Sequence, residues 1–115
     1  MDNETIPLDS SNSSAEEPLF ILSLLNNELM SFSWKLSNKE YKIGRSSEND
    51  IILDDITVSR NHALLLVNNE NIKIVDNNST NGLYINNVIK IDSELKSGDK
   101  IQIGKYLLLL TEVMK

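Results

Sequence analysis

Val58-Ser59-Arg60-Asn61-His62-Ala63-Leu64-Leu65-Leu66-Val67 passes without a break from a polar, turn-forming segment into five consecutive apolar residues. A run of that length bounded by turn residues suits a central strand covered on both faces, and Leu107–Leu110 reads the same way. Working outward, short segments rich in Ile, Leu and Val alternate with Asn, Asp, Gly and Ser at intervals of roughly 8–12 residues, the spacing of an all-β sandwich. Ten strands are predicted: Leu19–Leu25, Leu29–Leu36, Lys42–Gly44, Ile51–Leu53, His62–Val67, Asn71–Val75, Leu83–Ile85, Val88–Ile91, Lys100–Ile103 and Tyr106–Val113. Ser31–Leu36 and Lys100–Ile103 alternate with period two, as half-buried strands do. Phe32 and Trp34 are taken to face opposite sides of their strand, so that one at most is core. Asn26-Asn27 reads as a hairpin turn. The four glycines, Gly44, Gly82, Gly98 and Gly104, border strands, where turns need positive φ or close backbone approach.

At 115 residues the chain holds one domain and one core. Its 40% apolar and 24% charged residues are those of a soluble globular protein, and no stretch reaches the roughly 18 apolar residues of a membrane helix. The acidic N-terminus lacks the basic start and apolar segment of a secretory leader, which predicts a cytoplasmic protein with no membrane partner. Without cysteine and with one histidine, neither disulfides nor a structural zinc site is expected, and no cofactor is implied. A net charge of −6 argues against nucleic-acid binding, which needs a basic surface to neutralise several phosphates. One phosphate is a different matter, because screening over about 8–10 Å hides much of the distant charge.

Both arginines, Arg45 and Arg60, and the single histidine fall within residues 44–62, while all other positive charge is lysine. Guanidinium is a planar fork matched to phosphate, whereas ammonium is a hydrated point charge. Three turn-rich segments follow strands and are expected to meet at one end of the sandwich: Gly44-Arg45-Ser46-Ser47, Val58–His62 and Asn77-Asn78-Ser79-Thr80-Asn81-Gly82. They supply guanidinium groups, hydroxyls and amides but no evident catalyst, which is the composition of a recognition surface on loops.

The chain resembles the forkhead-associated (FHA) domain, a family that binds phosphothreonine peptides. The resemblance rests on Gly44-Arg45, Asn49-Asp50-Ile51, Val58-Ser59-Arg60-Asn61-His62-Ala63, Asp76–Asn86 and Leu95–Gly104, in family order and spacing over about residues 19–115. It implies a sandwich of eleven strands with peptide-binding loops at one edge. It also implies that Arg45 clamps the phosphate beside Ser46, that Ser59 donates hydroxyl and amide to it, and that Arg60 charges the rim. Thr80 would then flank the phosphate and Asn81 would hold the peptide main chain, with Gly44, His62, Gly82 and Asn86 supporting the loops. Two positions depart from the family: Leu83 replaces a common threonine at the rim, and Asn87 replaces a glycine. Asn tolerates left-handed turns, so the second change is mild. Glu48, Asp50, Asp54 and Asp55 are expected mostly to point away from the pocket.

Other readings stand beside this one. His62 with Ser59 and an aspartate could form a nucleophilic set, but at a strand entrance a histidine is more often a hydrogen-bonding brace. The arginines could serve as surface ion-pair partners. The expected function is a non-catalytic, phosphothreonine-dependent adaptor or regulator acting downstream of a Ser/Thr kinase. The alternative is a phosphate-independent scaffold that uses a sheet face. Residues 1–18 read as a flexible acidic, Ser-rich tail ahead of an FHA-like domain over 19–115. Within that tail lies Thr5, the one threonine outside the predicted fold, a candidate phosphorylation site whose phosphate could enter the domain's own pocket.

Overall fold

The computed structural model describes residues 19–26, 29–69 and 71–113, and the predicted tail with Thr5 lies outside them. The described residues form eleven strands: β1 (Leu19–Asn26), β2 (Leu29–Leu36), β3 (Glu40–Gly44), β4 (Ile51–Ile52), β5 (Ala63–Asn68), β6 (Asn71–Asp76), β7 (Leu83–Ile85), β8 (Val88–Ile89), β9 (Asp92–Leu95), β10 (Lys100–Ile103) and β11 (Tyr106–Val113). They make two sheets, ordered β2-β1-β11-β10-β7-β8 and β4-β3-β5-β6-β9. Every pairing is antiparallel except β3 with β4, where Ile43 lies opposite Ile51.

Period-two alternation explains the core. Leu22, Ile101, Ile103, Leu108 and Leu110 of one sheet face Ile43, Leu65, Ile72 and Ile74 of the other, all fully buried. β5 and β11 do sit centrally in their sheets. They are not covered on both faces as predicted, however, because Leu64, Leu66, Leu107 and Leu109 on the outer faces are only half-buried. The sandwich has two layers, and nothing packs outside them among the described residues.

Two further expectations change. Phe32 and Trp34 share one face, as residues two apart in a strand must, and their rings stack at 6.5 Å. Trp34 packs against the core, while Phe32 lies beyond it, 66% exposed. The predicted strand Val88–Ile91 ends at Ile89, and the chain crosses to the other sheet as β9, making the eleventh strand. Asp92-Ser93-Glu94-Leu95 escapes pattern reading because it is a polar edge strand with one buried residue, Leu95. Asn26 ends β1, paired to Leu29 of β2, and Asn27 of the predicted Asn26-Asn27 turn lies outside the described residues.

Candidate functional site

Three loops meet around the segment Thr57–Arg60. The first leaves β3 at Gly44. Its Arg45 amide donates to the Ser59 carbonyl at 3.0 Å, and its Ser46 amide donates to the Arg60 carbonyl at 3.3 Å. Gly44 is required by close approach, since a Cβ there would collide with the Arg60 carbonyl oxygen and come within 2.8 Å of Asn49 Nδ2. Asn49, 93% buried, locks the same junction by donating from Nδ2 to the carbonyls of Ser46 at 2.9 Å and Arg60 at 2.7 Å. Its importance was visible in sequence only as part of Asn49-Asp50-Ile51, where an asparagine followed by aspartate gave no direct sign of burial.

The third loop is tied to the same segment. The Thr80 amide donates to Ser59 Oγ at 2.9 Å, and Asn81 Nδ2 donates to the Thr57 carbonyl at 2.8 Å. Gly82 turns the chain at φ 90°, and its amide donates to Ser79 Oγ at 3.0 Å. Ser79 in turn donates to Asp76, closing the loop on itself. His62 is the brace beneath: it is fully buried, its Nδ1 accepts from the Ser59 amide at 3.0 Å, and its Nε2 lies 2.8 Å from the Gly82 carbonyl. An accepting Nδ1 places the ring hydrogen on Nε2, so the neutral imidazole donates to Gly82 and joins two loops. Both ring nitrogens are occupied by main chain, which leaves no base for Ser59 and removes the nucleophilic reading.

Arg45, Ser59, Thr80 and Asn81 are therefore brought together. The Arg45 side chain, half-buried, donates from Nε to the Val58 carbonyl at 2.9 Å, which ties the guanidinium to the second loop. Among the described residues no carboxylate lies within 4 Å of either arginine; the ion pairs are Lys39–Asp50 and Lys105–Asp55. Ser59 differs from expectation in one respect. Its amide is held by His62, so only its hydroxyl, which accepts from Thr80 and keeps its own hydrogen, is open to a ligand. Arg60 is exposed at the rim with its carbonyl held below, and Ser46 is half-buried with Oγ accepting from the Glu48 amide at 3.3 Å. Leu83 is wholly buried in the core, so it cannot alter the rim as its position had suggested.

Two of the four acidic residues near the arginines, Asp50 and Asp55, have partners of their own. Asp50 Oδ2 accepts from the Lys42 amide at 2.8 Å, which with Lys39 nearby lowers its pKa. The Thr57 hydroxyl and amide, and then Lys105, hold Asp55 down at about 2. Both carboxylates are ionised and each is paired with a lysine rather than with an arginine. Asn86 and Asn87 both adopt left-handed conformations, at φ 51° and 72°, in the β7–β8 turn. Asn86 also accepts from the Lys100 amide and donates to Asp99, each at 3.0 Å.

Comparison with known proteins agrees with this architecture. The family profile described as FHA domain matches residues 41–104, more than half of the chain. The chain is 47% identical over 66 residues to an oxoglutarate dehydrogenase inhibitor of Corynebacterium efficiens, covering 57% of this chain and 46% of that protein. It is 44% identical over 66 residues to the glycogen accumulation regulator GarA of Mycobacterium tuberculosis, covering 57% and 41%. It thus spans about half the length of the curated relatives it matches, and neither relative is named for catalysis. Among solved structures it is similar to the FHA domain of the CT664 protein from Chlamydia trachomatis, with TM-score 0.77 and 29% identity, covering 83% of this chain and 98% of that one. It is equally similar to an FHA domain described in an analysis of phosphothreonine-dependent interactions, with TM-score 0.76 and 27% identity, covering 81% and 95%. The two-sheet fold, the loops joined at Thr57–Arg60 and these matches agree: the chain belongs to the FHA-domain family.

Proposed function

We propose that this domain docks a phosphothreonine-bearing protein, produced by a Ser/Thr kinase, and acts in the cytoplasm as a non-catalytic adaptor or regulator. The observation that carries the reading is the Arg45 guanidinium, anchored at Nε on the carbonyl of Val58 and free of carboxylates among the described residues, with Ser59 next in the chain holding the Thr80 amide through its hydroxyl. Arg45 grips two phosphate oxygens with its terminal nitrogens, Ser59 and Ser46 donate hydroxyls, and Arg60 adds charge at the rim. Asn81 Oδ1, with its Nδ2 held by Thr57, accepts a peptide N–H and sets the register. Thr80 walls the phosphate. A few charge-assisted hydrogen bonds of about 1.5–3 kcal/mol each, less ordering costs, give affinity near 8 kcal/mol, about micromolar.

An oriented phosphopeptide library tests this. Wild type selects phosphothreonine sequences over their unmodified counterparts, and Arg45→Ala loses the selection. Equal retention of both peptide forms would favour a scaffold acting through a sheet face instead. The same pocket accommodates the chain's own phosphorylated Thr5, which makes phosphorylation of the N-terminal segment a competitor for clients. Mass spectrometry after kinase treatment, followed by peptide titration, checks the point. Modification of Thr5 that leaves client-peptide affinity unchanged removes self-regulation and spares the docking site.

A further inference from the structure

Asn81-Gly82 is the single Asn-Gly step of the chain. Such a step is prone to spontaneous cyclisation, because glycine has no side chain to shield its nitrogen from the carboxamide before it. The reaction balances with water as the only co-reactant. The Gly82 nitrogen bonds to Asn81 Cγ, the Cγ–Nδ2 bond breaks, and Nδ2 takes the Gly82 proton and leaves as ammonia. Water then opens the cyclic imide to aspartate or isoaspartate. Asn81 is exposed, so water reaches it.

The third loop holds both reacting groups apart. Gly82 N–H donates to Ser79 Oγ at 3.0 Å, and Asn81 Nδ2 donates to the Thr57 carbonyl at 2.8 Å. Ser79 is itself fixed to Asp76 by its hydroxyl and, at 3.2 Å, by its amide. Cyclisation therefore waits for the loop to open locally and release both bonds. We propose that Asn81 is a modification site, at which deamidation turns off client docking, and that Ser79 guards it by holding the Gly82 nitrogen. The consequence for docking rests on the phosphopeptide reading; the guard does not. Either product puts a carboxylate where the amide stood, which loses the donor to Thr57 and adds a negative charge to a site for an anion. Isoaspartate also lengthens the main chain by one methylene between Thr80 and Gly82.

The experiment incubates the wild-type chain, Ser79→Ala and a peptide of residues 77–85 at mildly alkaline pH, and follows the conversion of Asn81 by mass spectrometry. Wild type is expected to react at least about tenfold more slowly than the peptide, as for a loop open no more than about a tenth of the time. Folded Ser79→Ala, checked by a thermal melt, is expected to approach the peptide rate. If that variant does not fold, the comparison of wild type with peptide decides. The converted wild-type fraction, separated by ion exchange, is expected to bind a phosphothreonine peptide about tenfold or more weakly than the unconverted fraction. A wild-type rate equal to that of the peptide, or a folded Ser79→Ala no faster than wild type, overturns the guard. Equal phosphopeptide affinity of the two fractions overturns the effect on docking. Guarded conversion with phosphopeptide binding by neither fraction keeps the modification site and overturns the phosphopeptide reading.

Discussion

Replacing His62 with alanine should separate the loops without touching the ligand-facing atoms. The change orphans two buried main-chain groups, the Ser59 amide that donates to Nδ1 at 3.0 Å and the Gly82 carbonyl 2.8 Å from Nε2, and leaves a void where a fully buried ring stood. Each orphaned group costs about 1–3 kcal/mol, and the void adds to this, so a loss of about 4 kcal/mol is expected. Against total stabilities of about 5–15 kcal/mol, that leaves a folded but weakened domain. Urea titration followed by fluorescence of Trp34, the single tryptophan, measures it. With a slope near 2 kcal/mol per molar, typical of small proteins, the midpoint falls by about 2 M. Asn61→Ala, next in the chain but exposed, is the control and should change stability by no more than about 0.5 kcal/mol. A His62→Ala loss below about 1 kcal/mol would refute the claim that this ring joins the second and third loops.

Other perturbations follow from the same geometry. Gly44→Ala should destabilise by about 2–4 kcal/mol and disorder the Arg45 loop, because the new Cβ meets backbone rather than a movable side chain; calorimetry and the amide spectrum of residues 45–49 check this. Asn87→Gly should be neutral or stabilising by up to about 1 kcal/mol, since φ 72° suits glycine. Asn86→Gly should instead destabilise by about 1–2 kcal/mol, because it removes the bonds to Lys100 and Asp99; denaturation midpoints decide between the two. Asp55 has a folded-state pKa of about 2 against an ordinary 3.8. Its stabilisation is thus complete above about pH 5 and lost as pH falls towards 2. Asp55→Asn should flatten the stability profile in that window, and an unchanged profile would contradict the Thr57 and Lys105 contacts.

Much of this was legible in the sequence because alternation and turn residues report local structure. Leu83-Tyr84-Ile85 and Lys100–Ile103 declare their faces by period two, and Asn86-Asn87 declares a left-handed turn. The β9 edge strand was not legible, since Asp92-Ser93-Glu94 carries no apolar signal and is fixed only by pairing with β6. The outer faces of β5 and β11 misled because continuous leucine suggests burial on both sides, whereas two layers give it on one. At the site, the charged and hydroxyl residues were identifiable as types. That the Ser59 amide belongs to His62, and that Asn81 uses half of its amide on Thr57, depends on tertiary distances that no spacing encodes.

Isothermal titration of one phosphothreonine peptide, its phosphoserine form and its unmodified form into the wild-type chain and Arg45→Ala tests the central claim. Wild type should bind the phosphothreonine peptide with about micromolar affinity, the phosphoserine form more weakly and the unmodified form undetectably, and Arg45→Ala should bind none of them. Equal affinity for the modified and unmodified peptides, or full binding by Arg45→Ala, would contradict it.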